Sequence, residues 1–268
     1  FRREGQVLVQ LRHSNIVEVY DASYIDDSYC IAMAYISGGS FEKRIQAART
    51  NRQFFDFNEI IVLIKQIALA LDYAHEKKII HRDIKPSNIL ISPDNRGILA
   101  DFGIVRFSDA TKLTQTVAVM GTPAYMSPEQ ARGFPADHRS DLYSLGVVLY
   151  EALTLRLPFE ADEPIAWMYK HVHELPPTPT TYRSDIPSAL KSVLNKALAK
   201  KPEKRFQSGK EFAEALDAAF EKLTNPALKQ PRKVIYIAAA TLMAGSATLV
   251  AVISNTPKQQ DSQLLSST

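Results

Sequence analysis

The sequence predicts an α+β fold: a small sheet region first, a mostly helical body after it, and one separate apolar segment near the end. Three observations carry this. Residues 17–24 and 28–33 alternate apolar and polar side chains in the two-residue period of paired strands, with Ile25-Asp26-Asp27 turning between them. From residue 57 onward the apolar positions recur at helical spacing in several runs. Finally, 234–253 is a run of twenty residues without a charge, VIYIAAATLMAGSATLVAVI.

The elements follow in order. Residues 1–12 place Val7, Leu8 and Leu11 on one helical face. After the two strands, Gly38-Gly39 breaks the chain and Ser40 can cap a short helix over 41–48. A longer helix is expected over 57–77, capped by Asp56 or Asn58, with Ile61, Ile64, Ala68, Leu71 and Ala74 as plain core. Ile89-Leu90-Ile91 and Ile98-Leu99-Ala100, joined by Ser92-Pro93-Asp94-Asn95-Arg96-Gly97, read as a hairpin. Further helices are expected over 142–153, opened by Asp141, and over 164–173, 187–199 and 208–223. Pro176, Pro177 and Pro179 make an extended loop between the helices over 164–173 and 187–199.

The chemistry concentrates at HRDIKPSN, residues 81–88, and at Asp101-Phe102-Gly103 beyond the hairpin. Moving a phosphoryl group requires a carboxylate to orient the attacking hydroxyl, a cation on the phosphate oxygens and hard oxygen ligands for magnesium. Asp83 suits the first role, Lys85 the second, and Asn88 with Asp101 the third. The hairpin would carry Asn88 and Asp101 to one place.

These motifs resemble the catalytic loop and metal-binding turn of protein kinases. Gly121-Thr122-Pro123-Ala124-Tyr125-Met126-Ser127-Pro128-Glu129 resembles the end of a kinase activation segment, with Ser-Pro-Glu where Ala-Pro-Glu is commoner. MSPEQARG and RSDLYSLGVVLYEALT are most similar to bacterial Hanks-type Ser/Thr kinases, and the resemblance covers 1–222. It implies a bilobal fold with an incomplete N-lobe over 1–36 and a helical C-lobe over 37–223. It also implies ATP and Mg2+ as cofactors and protein serine or threonine hydroxyls as acceptors.

By that resemblance Glu4 pairs with a lysine that positions the ATP phosphates. Ala34-Tyr35-Ile36 becomes the hinge whose backbone meets adenine, with Met33 bordering the pocket and Leu90 under the ring. Relatives usually carry Glu where Ala34 stands, which removes a lobe-anchoring carboxylate. Arg82 is expected to meet a phosphate on the activation segment, where Thr111, Thr114 and Thr116 are candidate phosphosites. Thr122 is expected to bond Asp83 and Lys85. Lys85, two residues past Asp83, points with it to Ser/Thr specificity. Glu129 and Arg205 are expected to form a buried ion pair, Asp141 to hold the catalytic loop from below, and His81 and Phe102 to act structurally. A residue other than Gly must make the turn at Thr154-Leu155-Arg156-Leu157-Pro158-Phe159.

Composition narrows the rest. A net charge of +3, with both signs interspersed, leaves no nucleic-acid footprint. The single cysteine, Cys30, excludes an intramolecular disulfide and reads as a buried strand thiol. His171 and His173 point to different helix faces and lack a carboxylate or thiolate cluster, so they do not make a metal site. Residues 224–233 read as a basic linker, with Lys229, Arg232 and Lys233 before the uncharged run. At about 1.5 Å per residue, that run is long enough to cross a bilayer. The basic flank then sets the preceding domain on the cytoplasmic side of an inner membrane. Ala240 and Ala244 have the spacing of helix-pairing small residues, which allows a homodimer, and 254–268 reads as a disordered tail. The first residue is Phe, and neither a glycine-rich loop nor a lysine strand precedes Glu4. The chain is therefore expected to be an N-terminally truncated piece, unable as written to build a whole ATP site. A membrane-tethered pseudokinase or scaffold is the alternative from another class, and a kinase-like small-molecule phosphotransferase the enzymatic one.

Overall fold

The structure, a computed structural model, describes residues 9–25, 28–102 and 123–224. The chain falls into two units, 1–229 and 230–268, and the description concerns the first. Its strands are β1 (Val19–Ile25), β2 (Ser28–Met33), β3 (Ile89–Ile91) and β4 (Gly97–Leu99). Its helices are α1 (Phe41–Asn51), α2 (Phe57–Glu76), α3 (Pro128–Ala131), α4 (His138–Thr154), α5 (Pro164–His173), α6 (Ser188–Ala197) and α7 (Gly209–Thr224).

The strands make two antiparallel pairs, β1 with β2 and β3 with β4. Val17 does not extend β1 as expected. Its N–H donates to the Leu99 carbonyl (2.9 Å), and the Leu99 N–H donates to the Asn15 carbonyl (2.8 Å), so residues 15–17 lie beside β4. On the other side, the Ile91 N–H donates to the Gly39 carbonyl at 2.8 Å. The hairpin is thus clamped on both edges. Gly38 must be glycine there, because a Cβ would run into the Ile91 carbonyl oxygen.

Cys30 is exposed, which corrects the buried-thiol expectation. It pairs with Ser23 in a sheet of only two strands, and among the described residues no third strand joins that sheet. Alternation marks which side chains share a face, not whether anything covers it.

Below the sheets the core is helical. α2 is capped by the Asp56 carboxylate, which accepts from the Asn58 N–H at 2.8 Å, and it buries Ile60, Ile61, Ile64, Ile67, Ala68, Leu71 and Ala74. Each fully buried Ile is worth roughly 1.5–3 kcal/mol. α4 is buried all round from Ser140 to Thr154, the behaviour of a helix at the centre of a domain. It begins at His138 with Asp137 as its cap, so Asp141 lies within the first turn and does not open the helix. That one-turn displacement turns Asp141 towards the loop above it. α4 ends at Leu155, whose φ of 57° puts a non-glycine residue in the left-handed region, as the missing glycine required. α7 packs along α2, and α6 packs on α4 and α7.

Among the described residues no helix is long and apolar enough to cross a membrane. Residues 234–253, the expected span, lie outside them, as do Glu4, Thr111, Thr114, Thr116 and Thr122.

Candidate active site

The loop between α2 and β3 is built on a buried carboxylate. Asp141, 1% exposed, accepts from the His81 N–H (2.8 Å), the Arg82 N–H (2.7 Å) and His75 Nε2 (2.8 Å). A buried charge is costly unless saturated with donors, and these three, with the N-terminal dipole of α4, satisfy it. Two of the donors are successive loop amides, so the carboxylate sets the path of the chain just before Asp83. The path is strained: Arg82 has φ 66°. The Nδ1 of His75 has no partner among the described residues.

His81 ties this loop to the strand that delivers Asp101. Its Nδ1 accepts from the Asp83 N–H at 3.3 Å, so the ring proton sits on Nε2 and is donated to the Ala100 carbonyl at 2.9 Å. Complete burial pushes its pKa down, which keeps the imidazole neutral and the tautomer fixed. The ring lies 4.6 Å from that of Phe102, which is itself buried.

The candidate chemical groups then fall together. Lys85 Nζ is 2.8 Å from Asp83 Oδ2. Asn88, in the turn Pro86–Asn88, donates Nδ2 to the Asp83 carbonyl (2.8 Å) and to Oδ2 (3.3 Å). The Ala100 N–H donates to the Asn88 carbonyl at 2.9 Å, which sets Asp101 immediately beyond. Asp101 is exposed and has φ 58°, a second strained residue at the same site. With the Asn88 amide nitrogen spent on Asp83, its oxygen and the Asp101 carboxylate are two hard donors. No cluster of three His, Cys, Asp or Glu ligands exists among the described residues. The donor set fits Mg2+, which takes one or two protein oxygens and completes its shell with phosphate and water.

Ala34, Ile36 and Leu90 pack against Val17, Ile98 and Ala100 in a small apolar cluster beside the hairpin. Met33 is exposed and stands outside that cluster.

On the far side of the loop, residues 123–130 form a platform. Ser127 and Gln130 make a reciprocal capping box, and Gln130 Nε2 donates onward to the Arg82 carbonyl at 3.1 Å. The Ser-x-x-Gln spacing was a readable signal for the box, but not for that outward bond. Tyr125 donates its hydroxyl to Glu151 (2.6 Å), which also meets Arg49 (2.5 Å). Burial pushes Glu151 up despite both partners. Beneath the platform Glu129 and Arg205 meet as a bidentate pair, at 2.7 and 2.8 Å. Burial pushes the Glu129 carboxyl up, but the Arg205 and Ser140 bonds outweigh it and hold it below its ordinary value. The sequence pointed to neither His75, Gln130 nor the Tyr125–Glu151–Arg49 set.

The comparisons agree with this geometry. A family model described as the protein kinase domain matches residues 1–220. A probable serine/threonine-protein kinase of Clostridium acetobutylicum is 37% identical over 85% of this chain and 36% of its own length. The serine/threonine-protein kinase PknB of Mycobacterium leprae is 43% identical over 79% of this chain and 34% of its own length. For PrkC of Bacillus subtilis the identity is 37%, over 82% of this chain and 34% of PrkC. The chain thus spans about a third of the length of these curated relatives. Among solved structures, the PknI kinase domain of Mycobacterium tuberculosis superposes with a TM-score of 0.64 at 30% identity, covering 82% of this chain and 77% of that one. The chain belongs to the protein kinase domain family.

Proposed function

We propose that this chain is the catalytic part of a bacterial serine/threonine protein kinase, which passes the γ-phosphate of ATP to a hydroxyl of a protein substrate. The observation that carries this is Asp83, held between Lys85 Nζ and the Asn88 amide, with the two residues before it fixed through their N–H groups by Asp141. Asp83 orients the acceptor hydroxyl and takes its proton as the oxygen attacks phosphorus and the bond to ADP breaks. Lys85, paired with Asp83 at rest, turns its charge to the transferred phosphoryl oxygens. Asn88 and Asp101 hold Mg2+, which when bound neutralises charge on the phosphates. The apolar cluster of Ala34, Ile36 and Leu90 supports adenine. Thr122 bonds the catalytic pair, and Glu4 engages the phosphate-positioning lysine.

The same reading gives Arg82 the role of receiving a phosphate on Thr111, Thr114 or Thr116, whose roughly −1.5 to −2 charges order the segment. Residues 234–253 anchor the domain in the membrane. The basic residues Lys229, Arg232 and Lys233 support a cytoplasmic kinase, and the Ala240/Ala244 spacing supports pairing of two spans.

The test is transfer from γ-labelled ATP by the full-length natural polypeptide, followed by identification of the phosphorylated amino acid. Label in protein-bound phosphoserine and phosphothreonine is expected. Label in a small alcohol and in no protein would overturn the reading. Extraction of membranes with alkaline carbonate tests the anchor, which should leave the protein in the membrane fraction.

A further inference from the structure

His171 sits in the last turn of α5 with 0% exposure. Its Nε2 lies 3.0 Å from the Ala124 carbonyl oxygen, and its Nδ1 lies 3.0 Å from the Tyr143 hydroxyl. A carbonyl only accepts, so Nε2 carries the proton and Nδ1 accepts from the tyrosine. Both ring nitrogens are spent inside the protein, which closes any metal role. Phe159 and Tyr143 meet the ring edge-on, at 5.0 and 5.7 Å. Lys200 donates to the backbone carbonyl of His171 at 2.7 Å, fixing the helix end as well as the ring.

Ala124 belongs to the Pro123–Tyr125 turn. The next residue is held from the other side by α4: Ser144 Oγ donates to the Tyr125 carbonyl at 2.7 Å, and Tyr125 itself reaches Glu151. The turn leads directly into α3, whose Gln130 bonds the carbonyl of the residue preceding Asp83. Residues 123–126 therefore form a ledge that is tied, through Gln130, to the backbone next to Asp83. The height of that ledge depends on what holds Ala124.

We propose that His171 is a positioning residue for the protein substrate: through Tyr143 and Ala124 it locks α5, α4 and the 123–126 ledge into one body that presents an extended Ser- or Thr-bearing segment to Asp83. This rests on the kinase reading above. It separates two functions in the site, because no bond of His171 reaches the hairpin or the apolar cluster that serve ATP.

The experiment compares His171→Leu and His171→Gln with the parent full-length enzyme, measuring KM for a protein substrate, KM for ATP and amide hydrogen exchange over 123–127. Leucine fills the space but leaves the Ala124 carbonyl without its donor and the Tyr143 hydroxyl without its acceptor, whereas the glutamine amide carries both a donor and an acceptor. Loss of one buried hydrogen-bond donor predicts a rise of about tenfold in protein-substrate KM for the leucine variant. ATP KM is expected to change by less than about twofold, with glutamine recovering most of the loss. Exchange over 123–127 should accelerate in the leucine variant alone. Equal losses for ATP and protein, or leucine and glutamine variants that behave alike, overturn the proposal. If the parent transfers no phosphate, the kinase reading fails, while the exchange data still decide whether His171 holds the ledge.

Discussion

Arg205 grips Glu129 through two parallel bonds, Nη1 to Oε1 at 2.7 Å and Nη2 to Oε2 at 2.8 Å, with the guanidinium fully buried. Its remaining three donors go to the carbonyls of Ala199, Lys200 and Arg139, and Tyr143 lies 4.8 Å from it, ring centroid to guanidinium carbon. Every donor of the buried guanidinium thus has an acceptor inside the protein. Removing one partner strands the other, so Arg205→Met is expected to lose about 3–5 kcal/mol of stability. Arg205→Lys, which cannot reproduce the fork, should recover little of it, whereas the double variant Arg205→Met, Glu129→Leu should recover much. Urea unfolding of the full-length chain measures all three. A single-variant loss below about 1 kcal/mol contradicts the assignment.

Asp141 predicts a different phenotype. In Asp141→Asn one carboxylate oxygen becomes an NH2 group aimed at a backbone N–H, either His81 or Arg82. The cost is roughly 1–3 kcal/mol of stability. Because both amides shape the loop before Asp83, phosphate transfer should fall by about a hundredfold, an effect of the size that a small misplacement of a catalytic group produces. Nucleotide binding, measured by titration calorimetry, should change far less. Equal losses in both would mean that Asp141 supports the whole fold and not the loop.

Gly146 sits where α4 meets α6, and a Cβ there would lie 2.7 Å from the Ala197 Cβ. Helix propensity alone favours Gly146→Ala by about 1 kcal/mol. Overpacking between two helix backbones costs about 1–3 kcal/mol, and it should win. A net destabilisation is expected in urea unfolding, and a stabilised variant would show that α6 can shift.

The buried histidines set a pH dependence. Burial, and secondarily Lys200, push the His171 pKa down to about 4, against about 6.5 in an unfolded chain. The folded state therefore holds the neutral form, and between these values the unfolded chain binds more protons. Stability is full above the unfolded value and falls as pH drops towards 4, by at most about 1.4 kcal/mol per pH unit. His81, also pushed down by burial, acts in the same direction. His171→Gln should flatten part of the slope between pH 6.5 and 5 in thermal unfolding, and slopes that stay parallel to the parent would contradict the assignment.

Much of the site was legible because its residues are close in sequence. Asp83, Lys85 and Asn88 lie on one loop, and the hairpin that returns the chain to Asp101 carries its own turn signal. The long helices were legible from their apolar period. The supporting contacts were not, because they join distant segments: His75 reaches Asp141 across 66 residues, Gln130 reaches Arg82 across 48, and His171 reaches Ala124 across 47. Local patterns show that a histidine at i and another at i+2 cannot share a ligand. They do not show what each one touches. Helix boundaries were misplaced for a related reason, since Asp137 and Asp141 are equally good caps by type and only Asp137 has the extended backbone of a cap.

The most direct test of the central claim is one phosphotransfer assay on the full-length natural polypeptide, beside Asp83→Asn and Asp101→Asn, with nucleotide binding followed in parallel. The parent is expected to transfer phosphate to protein serine or threonine. Loss of the orienting carboxylate in Asp83→Asn should lower the rate at least about a hundredfold while ATP still binds, and Asp101→Asn should lose transfer together with Mg2+-dependent binding. Transfer that survives Asp83→Asn unchanged, or a full-length parent that binds ATP and transfers nothing, would contradict it.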